Sequence, residues 1–397
     1  MKYVILQPDG VADRPLPELG GRTPLEYART PHMDRIATHG MFGMTQTIPP
    51  GLPPGSDVGT MSILGYDPCR YHTGRSPIEA ASMGVELGAD DIAFRCNLVT
   101  IAGGVMQDFT AGHITTEESA AIIGDLQRQL GGNGIELHPG VSYRHLLVWR
   151  GGKAAMQTTP PHDITDRSVA EYLPSGDGAD VLQRLMQAAQ DILATHPVNR
   201  ARAARGQRPA TAIWLWGQGK RPALPTIPQR FGIHGAVISA VDLVNGLGVL
   251  AGLEVIKVPG VTGFLDTNYQ GKAEYGLRAL RETDLVFVHV EATDETGHMG
   301  AVDKKVQAVE DFDSKIVAPI LDGLQAFPAW RLLMMPDHAT PCALKTHSPD
   351  PVPFVILDAR DLQMQRQSRR YNERAATATG VSIAQAHSLV PDHLLKA

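Results

Sequence analysis

The sequence predicts an α/β protein. Its core is a mainly parallel sheet covered by helices on both faces. Three observations carry this. From Gly235 onward, short apolar runs (GAVIS, LEVIKV, DLVFVHV, RLLMMP, VPFVIL) are separated by amphipathic ones (AVDLVNGLGVLAG, KAEYGLRALRE, DKKVQAVEDFDSKIVAPILDGL), the pattern of strands joined by helical crossovers. The first apolar run, KYVILQ, breaks into the loop PDGVADRP, as a buried strand does at its end. A chain of 397 residues is also too long for one ordinary core, so about two domains are expected.

The remaining elements follow in order. TPHMDRIATHG reads as a helix with Thr30 as N-cap, Pro31 at the first turn and Gly40 as the stop. IPPGLPPGSDVGTMSILGYDP is a Pro/Gly loop entering a short helix near Ser56. IAFRCNLVTI, HLLVW and ATAIWLW read as strands. TEESAAIIGDLQRQLGG, with a capping-box start, and GADVLQRLMQAAQDILATH read as helices. The Arg- and Ala-rich stretch Asn199 to Arg208 reads as a loop. GLGVLA, Gly246 to Ala251, matches a dinucleotide fingerprint, but it sits inside an apolar helical pattern instead of the turn after a strand, so close helix packing explains it.

Composition narrows the function classes. Net charge is −6 with no long basic run, which removes electrostatic support for a nucleic-acid partner. Cys69, Cys96 and Cys342 lie far apart without a CxxC pair. That fits a reducing, cytoplasmic setting and argues against a disulfide framework or a thiolate zinc site. The apolar stretch at the N-terminus is too short for a signal segment or a membrane span.

Ligands of open α/β sheets bind beyond the carboxyl ends of the strands. The residues predicted to gather there are Asp9 in QPDG, Asp294 and His298 in TDETGH, Asp337 and His338 in PDHATP, and His347 in KTHSPDPVP. Carboxylates held together repel, and divalent cations relieve the repulsion while accepting both ligand types. Two ions about 3.5–4 Å apart would use this many ligands and would suit phosphoryl transfer. Asp and His without Cys point to Mn²⁺ or Zn²⁺, less to Mg²⁺ or Ca²⁺. Metal affinity is expected to fall as pH drops through the ordinary histidine range, near 6.5. Taken singly, each Asp or His also fits a cap or a surface ion pair. Ser56 opens a helix, where it could be a nucleophile or an N-cap, and the neighbouring Asp57 competes for either role.

Taken together and in order, QPDGVADRP, PPGSDVGTMSILGYDP, TDETGH, PDH and THSPDPVPF resemble the cofactor-independent phosphoglycerate mutases of the archaeal type, in the alkaline phosphatase superfamily. The likeness continues through TGRSPIEAASMGVEL and VPGVTGFLDTNYQGKAEYGL. It implies one metal ion on Asp294, His298 and His347 and a second on Asp9, Ser56, Asp337 and His338, with Ser56 as the nucleophile. It implies 3-phosphoglycerate and 2-phosphoglycerate as the small phosphorylated substrates, a phosphoserine intermediate, and no need for 2,3-bisphosphoglycerate. It also implies a discontinuous, alkaline-phosphatase-like metal-binding core, residues 1–71 and 234–397, and an inserted smaller α/β domain that binds substrate, residues 72–233. The insert is expected to hold the substrate's carboxylate and phosphate, with Arg75, Arg144, His162, Asp163, Arg167, Lys220 and Arg221 as candidates. GGVMQD places Met106 where bacterial-type mutases carry a histidine, so their proton-transfer group is not matched here. The same core would serve a phosphatase, another phosphomutase, or a homoserine kinase, although neither a P-loop nor a kinase glycine loop is present. A metal-binding protein without activity would leave Ser56 idle.

Overall fold

The computed structural model describes residues 1–364 and 366–396. The chain divides into two compact units, Met1–His72 with Ala223–Ala397, and Thr73–Pro222. The return crossing thus falls near residue 222 instead of 233, because the Ile227–Phe231 helix belongs with the first unit.

The first unit is built on an eight-stranded sheet. In spatial order its strands are Glu254–Val255, Gly235–Ile238, Leu285–Val290, Lys2–Pro8, Trp330–Met334, Val352–Asp358, Met41–Thr45 and Ser382–Ile383. The first five run parallel. Val352–Asp358 is antiparallel to both neighbours, so the sheet is mainly parallel, as the sequence pattern predicts, with one reversed strand. The reason is the connection: residues 335–351 contain no helix, and without a crossover helix the chain returns alongside the strand it has just left. Buried aliphatic residues from one face of the central strands pack with the flanking helices into a core, among them Val4, Leu6, Val286, Val288, Leu332 and Met334.

Three central strands lie side by side, with Ile5 opposite both Phe287 and Leu333. Their carboxyl ends therefore emerge together, and the residues just beyond them include Asp9, Glu291 and Asp337. Strand order alone thus converts three distant segments into one cluster.

The helix expected from Thr30 forms as Pro31–His39, but Thr30 makes no side-chain cap. The buried Asp313 carboxylate does so instead, accepting from the backbone N–H of His32 (3.0 Å) and Met33 (2.7 Å). Asp313 opens a π-helical turn, Asp313–Val317, that splits the long helical run into Val302–Phe312 and Ala318–Leu324. Pro319 follows directly; it cannot donate a backbone N–H, and a widened turn accommodates the missing bond.

The second unit centres on the Ile92–Ala102 strand. It pairs antiparallel with Arg144–Trp149, with Ala212–Lys220 and with Val105–Asp108. Phe94, Cys96 and Leu98 share a core with the Thr116–Leu130 and Ala179–Leu193 helices. Thr115 caps the first of these from Glu118 N–H, but the Glu118 carboxylate leaves the capping box and pairs with Arg202 and Arg205. Those arginines lie in the stretch read as a loop, and most of that stretch is a helix, Pro197–Ala204. Alanine favours the helix, the His196 ring caps it, and Arg202 is buried. Its guanidinium donates to the carbonyls of Ala111 (2.8 Å) and Arg208 (2.9 Å) as well as to Glu118. Gly248, in the unabsorbed GLGVLA match, sits in the Asp242–Leu250 helix against Val237, as close packing requires.

Removing one partner of a buried ion pair is costly, so Arg202→Ala should destabilise the second unit by about 3–5 kcal/mol. Three of the four tryptophans, Trp149, Trp214 and Trp216, lie in that unit. A urea titration followed by tryptophan fluorescence should show an earlier transition. An unchanged midpoint would mean that Arg202 is not a structural keystone.

Candidate metal centre and nucleophile

Among the described residues, the mixed Asp, Glu and His groups able to hold a cation are Asp294–His298–His347, Asp9–Asp337–His338 and Asp9–His289–Glu291. All lie in the first unit at the carboxyl ends of its central strands. TDETGH does form a helical turn, Ala292–His298, which puts Asp294 and His298 on one face.

In the first group, His298 Nε2 lies 3.1 Å from Asp294 Oδ2, and His347 Nε2 lies 3.5 Å from Asp294 Oδ1. The two imidazole Nε2 atoms are 2.9 Å apart. His298 Nδ1 faces the Lys345 carbonyl at 3.1 Å, and His347 Nδ1 faces the Pro54 carbonyl at 3.3 Å. A carbonyl only accepts, so each Nδ1 carries a proton, and a ring with no second proton turns its Nε2 lone pair toward the other. Only a proton or a cation between them makes that stable.

The second group repeats the device. His338 Nδ1 is 3.2 Å from Thr340 Oγ1, whose hydroxyl donates to Asp294 Oδ1, so Nδ1–H must donate to Thr340. His338 Nε2 then presents its lone pair to Asp337 Oδ2 (3.2 Å), Asp9 Oδ1 (3.7 Å) and Ser56 Oγ (3.2 Å). Asp9 Oδ1 and Asp337 Oδ2 are buried and have no hydrogen-bond partner. Orphaned carboxylate oxygens are costly unless a cation takes them up.

Electrostatics say the same. Burial, then Asp337, Glu291 and Asp294, push the Asp9 carboxyl well above the usual carboxylate range. Glu291 is raised well above its ordinary value by burial and then by Asp294 and Asp337. At Asp294 burial acts upward, but hydrogen bonds from His298 and His347 outweigh it and hold the carboxyl well below the usual range. Burial pushes His289 and His338 down, keeping both neutral. His298, hydrogen-bonded to Asp294, rises to about 9.

Two close approaches shape the site. Gly10, at φ +56°, has a backbone that side chains avoid, and a Cβ there would overlap Asp294 and Thr340. Gly59 lets the Ser56–Ile63 helix lie against the Asp337 loop; a Cβ would sit 2.7 Å from Asp337 Cβ. The N-cap of this helix is Gly55, so Ser56 is its first helical residue and makes no cap bond. The cap reading of Ser56 is thereby removed. Asp57 pairs instead with His72 Nε2 at 2.8 Å.

The insert candidates divide. In the second unit, Arg75 pairs with Glu79 (3.3 Å), and Arg75 and Arg144 both lie close enough to depress the buried Arg95 electrostatically. Arg95 stacks on the Trp216 ring at 4.4 Å, and the His162 ring meets the same indole edge-on at 5.5 Å. Burial, opposed by Glu79, brings Arg95 down to about 10. Arg75, Arg144 and His162 thus group about Arg95. Asp163 lies 3.6 Å from His162, Arg167 reaches Tyr172 (3.4 Å), Lys220 is paired with Asp90 (3.1 Å), and Arg221 is exposed.

Sequence reasoning missed His289, Glu291, Thr340, Lys272, Lys305 and Arg95. The one available signal was polarity inside apolar runs: VHVE at a strand end and FRC within a strand.

A mainly parallel sheet with imidazole lone pairs and unpartnered carboxylates converging beside a helix-borne serine has the build of a metal-dependent phosphoryl-transfer enzyme. Comparison with known proteins narrows this. The family model for 2,3-bisphosphoglycerate-independent phosphoglycerate mutase matches residues 37–199. The mutase of that name from Methanosarcina barkeri is 50% identical over 392 residues, covering 98% of both chains. Two solved structures are similar as well. One is a Pyrococcus horikoshii protein (TM-score 0.82, 31% identity, 98% of this chain and 95% of that one). The other is the cofactor-independent phosphoglycerate mutase of Thermoplasma acidophilum (TM-score 0.69, 26% identity, 98% of each). The chain belongs to the 2,3-bisphosphoglycerate-independent phosphoglycerate mutases.

A pH prediction follows from His298. Its raised value means that, without metal, its stabilising charge pairing is fully present below the ordinary 6.5 and is lost as pH rises through about 9. A cation requires the neutral ring, so binding expels that proton. Thermal midpoints of chelator-treated protein should fall between pH 6.5 and about 9, and Mn²⁺ affinity should rise over the same interval. This sets the midpoint above the 6.5 expected from sequence. Affinity flat across the interval, or His298→Ala with an unchanged pH profile, would contradict it.

Proposed function

We propose that this chain interconverts 3-phosphoglycerate and 2-phosphoglycerate through a phosphoserine on Ser56, in the cytoplasm and without 2,3-bisphosphoglycerate. Two divalent cations would be held by its Asp and His groups. The observation that carries the reading is the orientation of His298, His338 and His347. Each has Nδ1 tied to an acceptor and Nε2 turned onto the aspartates of the two groups. In this assignment Asp294, His298 and His347 hold one cation, and Asp9, Asp337, His338 and Ser56 the other. The nitrogen and oxygen donors suit Mn²⁺ first, with Zn²⁺ or Mg²⁺ as substitutes, over Ca²⁺. When bound, such ions lower the pKa of a hydroxyl and offset charge on a transferring phosphoryl group.

The chain's own groups do the rest. Ser56, on the first turn of its helix, presents Oγ where free backbone N–H groups and the helix dipole favour negative charge. Oγ attacks the substrate's phosphorus and the glycerate oxygen leaves; the other glycerate hydroxyl later takes the phosphoryl group back. Arg75 and Arg144 around Arg95 give the second unit cationic groups suited to the substrate's negative charges, and the His162 ring, pushed down by burial, adds a neutral polar group beside them. Water must be kept from the phosphoserine, or the reaction would end as hydrolysis.

The test is incubation of Mn²⁺-loaded protein with 3-phosphoglycerate, following 2-phosphoglycerate and free phosphate together. The expected result is 2-phosphoglycerate with little phosphate. Stoichiometric phosphate without 2-phosphoglycerate would make the protein a phosphatase. Ser56→Ala should cut turnover by about 10³-fold or more while changing stability by less than about 1 kcal/mol. Near-normal turnover by that variant would remove Ser56 as the nucleophile.

A further inference from the structure

The third Asp/His/Glu group, Asp9–His289–Glu291, is not used by the two-ion assignment. Its geometry differs from the other two. Elsewhere in the cluster, histidine nitrogens stand 3.1–3.7 Å from carboxylate oxygens, the spacing of ligands that share an ion. His289 Nε2 stands 2.7 Å from Asp9 Oδ2, a direct hydrogen bond. In the ionised form that a cation ligand takes, the Asp9 carboxylate can only accept, so Nε2 carries the proton and Nδ1 is an acceptor. Nδ1 meets Ser239 Oγ at 2.9 Å, and Ser239 Oγ itself accepts from Val241 N–H at 2.9 Å. The Ser239 hydroxyl must therefore donate to Nδ1. Every donor in the chain is accounted for: Val241 N–H to Ser239, Ser239 O–H to His289, His289 N–H to Asp9.

The chain ends on one particular oxygen. Asp9 Oδ2 receives His289, with the Gln7 amide at 3.4 Å as a weaker second donor. Oδ1 receives nothing and points to the side of His338 and Asp337. Glu291 Oε2 lies 3.3 Å from His289 Nε2, but a single N–H serves the nearer Asp9 and leaves Glu291 without a hydrogen bond at that atom. Ser239 and His289 are buried, on adjacent parallel strands and the loops that leave them. We propose that His289, locked by Ser239, is a positioning residue that holds Asp9 with Oδ1 aimed at the Asp337–His338 site, and that the Asp9–His289–Glu291 group is not a third cation site. This rests on the ligand role given above to Asp9.

Calorimetric titration of chelator-stripped protein with Mn²⁺ tests it. Wild type should bind two ions. His289→Leu removes the donor and should weaken one ion by about 10–100-fold, the scale of outer-sphere partners, and leave the other unchanged. His289→Gln, whose amide can offer an N–H near the lost Nε2, should recover most of that affinity. A merely structural role would not single out one ion or be rescued by a donor. If His289→Leu does not fold, Ser239→Ala carries the test and should weaken the same ion several-fold. Wild-type affinity for both ions in His289→Leu, or in Ser239→Ala where that variant stands in, overturns the proposal. So does a third ion in wild type that His289→Leu loses. Wild type binding no Mn²⁺ would instead overturn the two-ion reading on which it rests.

Discussion

Negative charge held out of water has to be compensated, and much of this molecule is arranged around that requirement. Asp9, Asp294 and Asp337 are buried within one cluster, with Glu291 beside them. Left alone, burial and then their mutual repulsion push Asp9 and Glu291 toward their protonated forms. The fold does not relieve this with arginine or lysine at the cluster's centre. It brings in imidazoles, neutral at His289 and His338; His338 points a lone pair inward, and His289 gives its N–H to Asp9. A site of this kind is incomplete until divalent cations enter it, and the same cations are what phosphoryl transfer needs.

The surrounding structure holds that unfavourable arrangement in place. Lys305 is wholly buried and donates to the carbonyls of Gly10 (3.0 Å) and Thr340 (2.7 Å) while pairing with Asp13 at 3.0 Å. It therefore ties the loop that carries Asp9 to the loop that carries Asp337 and His338. Lys272, also buried and lowered by burial to about 8, donates to the His289 carbonyl at 2.8 Å and fixes the third strand end. Gln7 exchanges hydrogen bonds with Thr60 (3.0 and 3.2 Å), tying the Ser56 helix to the same frame. Buried ammonium groups cost free energy, and here each donates to backbone carbonyl oxygen, in loops for Lys305 and at a strand end for Lys272.

Much of the Asp/His cluster was legible because its residues sit where apolar runs stop, and alternating runs announce strand ends. Asp9, Asp294 and Asp337 follow from that logic alone, before any likeness to a family. The residues that orient them were not legible. His289 lies inside an apolar run, where its polarity gave no hint of Asp9 some 280 positions away. Thr340 and Lys305 act through backbone carbonyls and a hydroxyl, and such partners depend on loop conformation, which carries no periodic signature. The Asn199–Arg208 stretch failed for a different reason: arginine reads as solvated, yet Arg202 is buried because Glu118 and two carbonyls receive it. VPFVIL was read as a strand, but its antiparallel direction was not legible, because strand direction depends on what the connection contains.

The claim at the centre of this account is that the Asp/His cluster is a two-cation site built on preset imidazole tautomers. Anomalous scattering from crystals of Mn²⁺-loaded protein measures it most directly. The account predicts two peaks about 3.5–4 Å apart or slightly more, one among Asp294, His298 and His347 and the other among Asp9, Asp337, His338 and Ser56 Oγ. A single peak, or a peak bounded by His289 and Glu291, would contradict it.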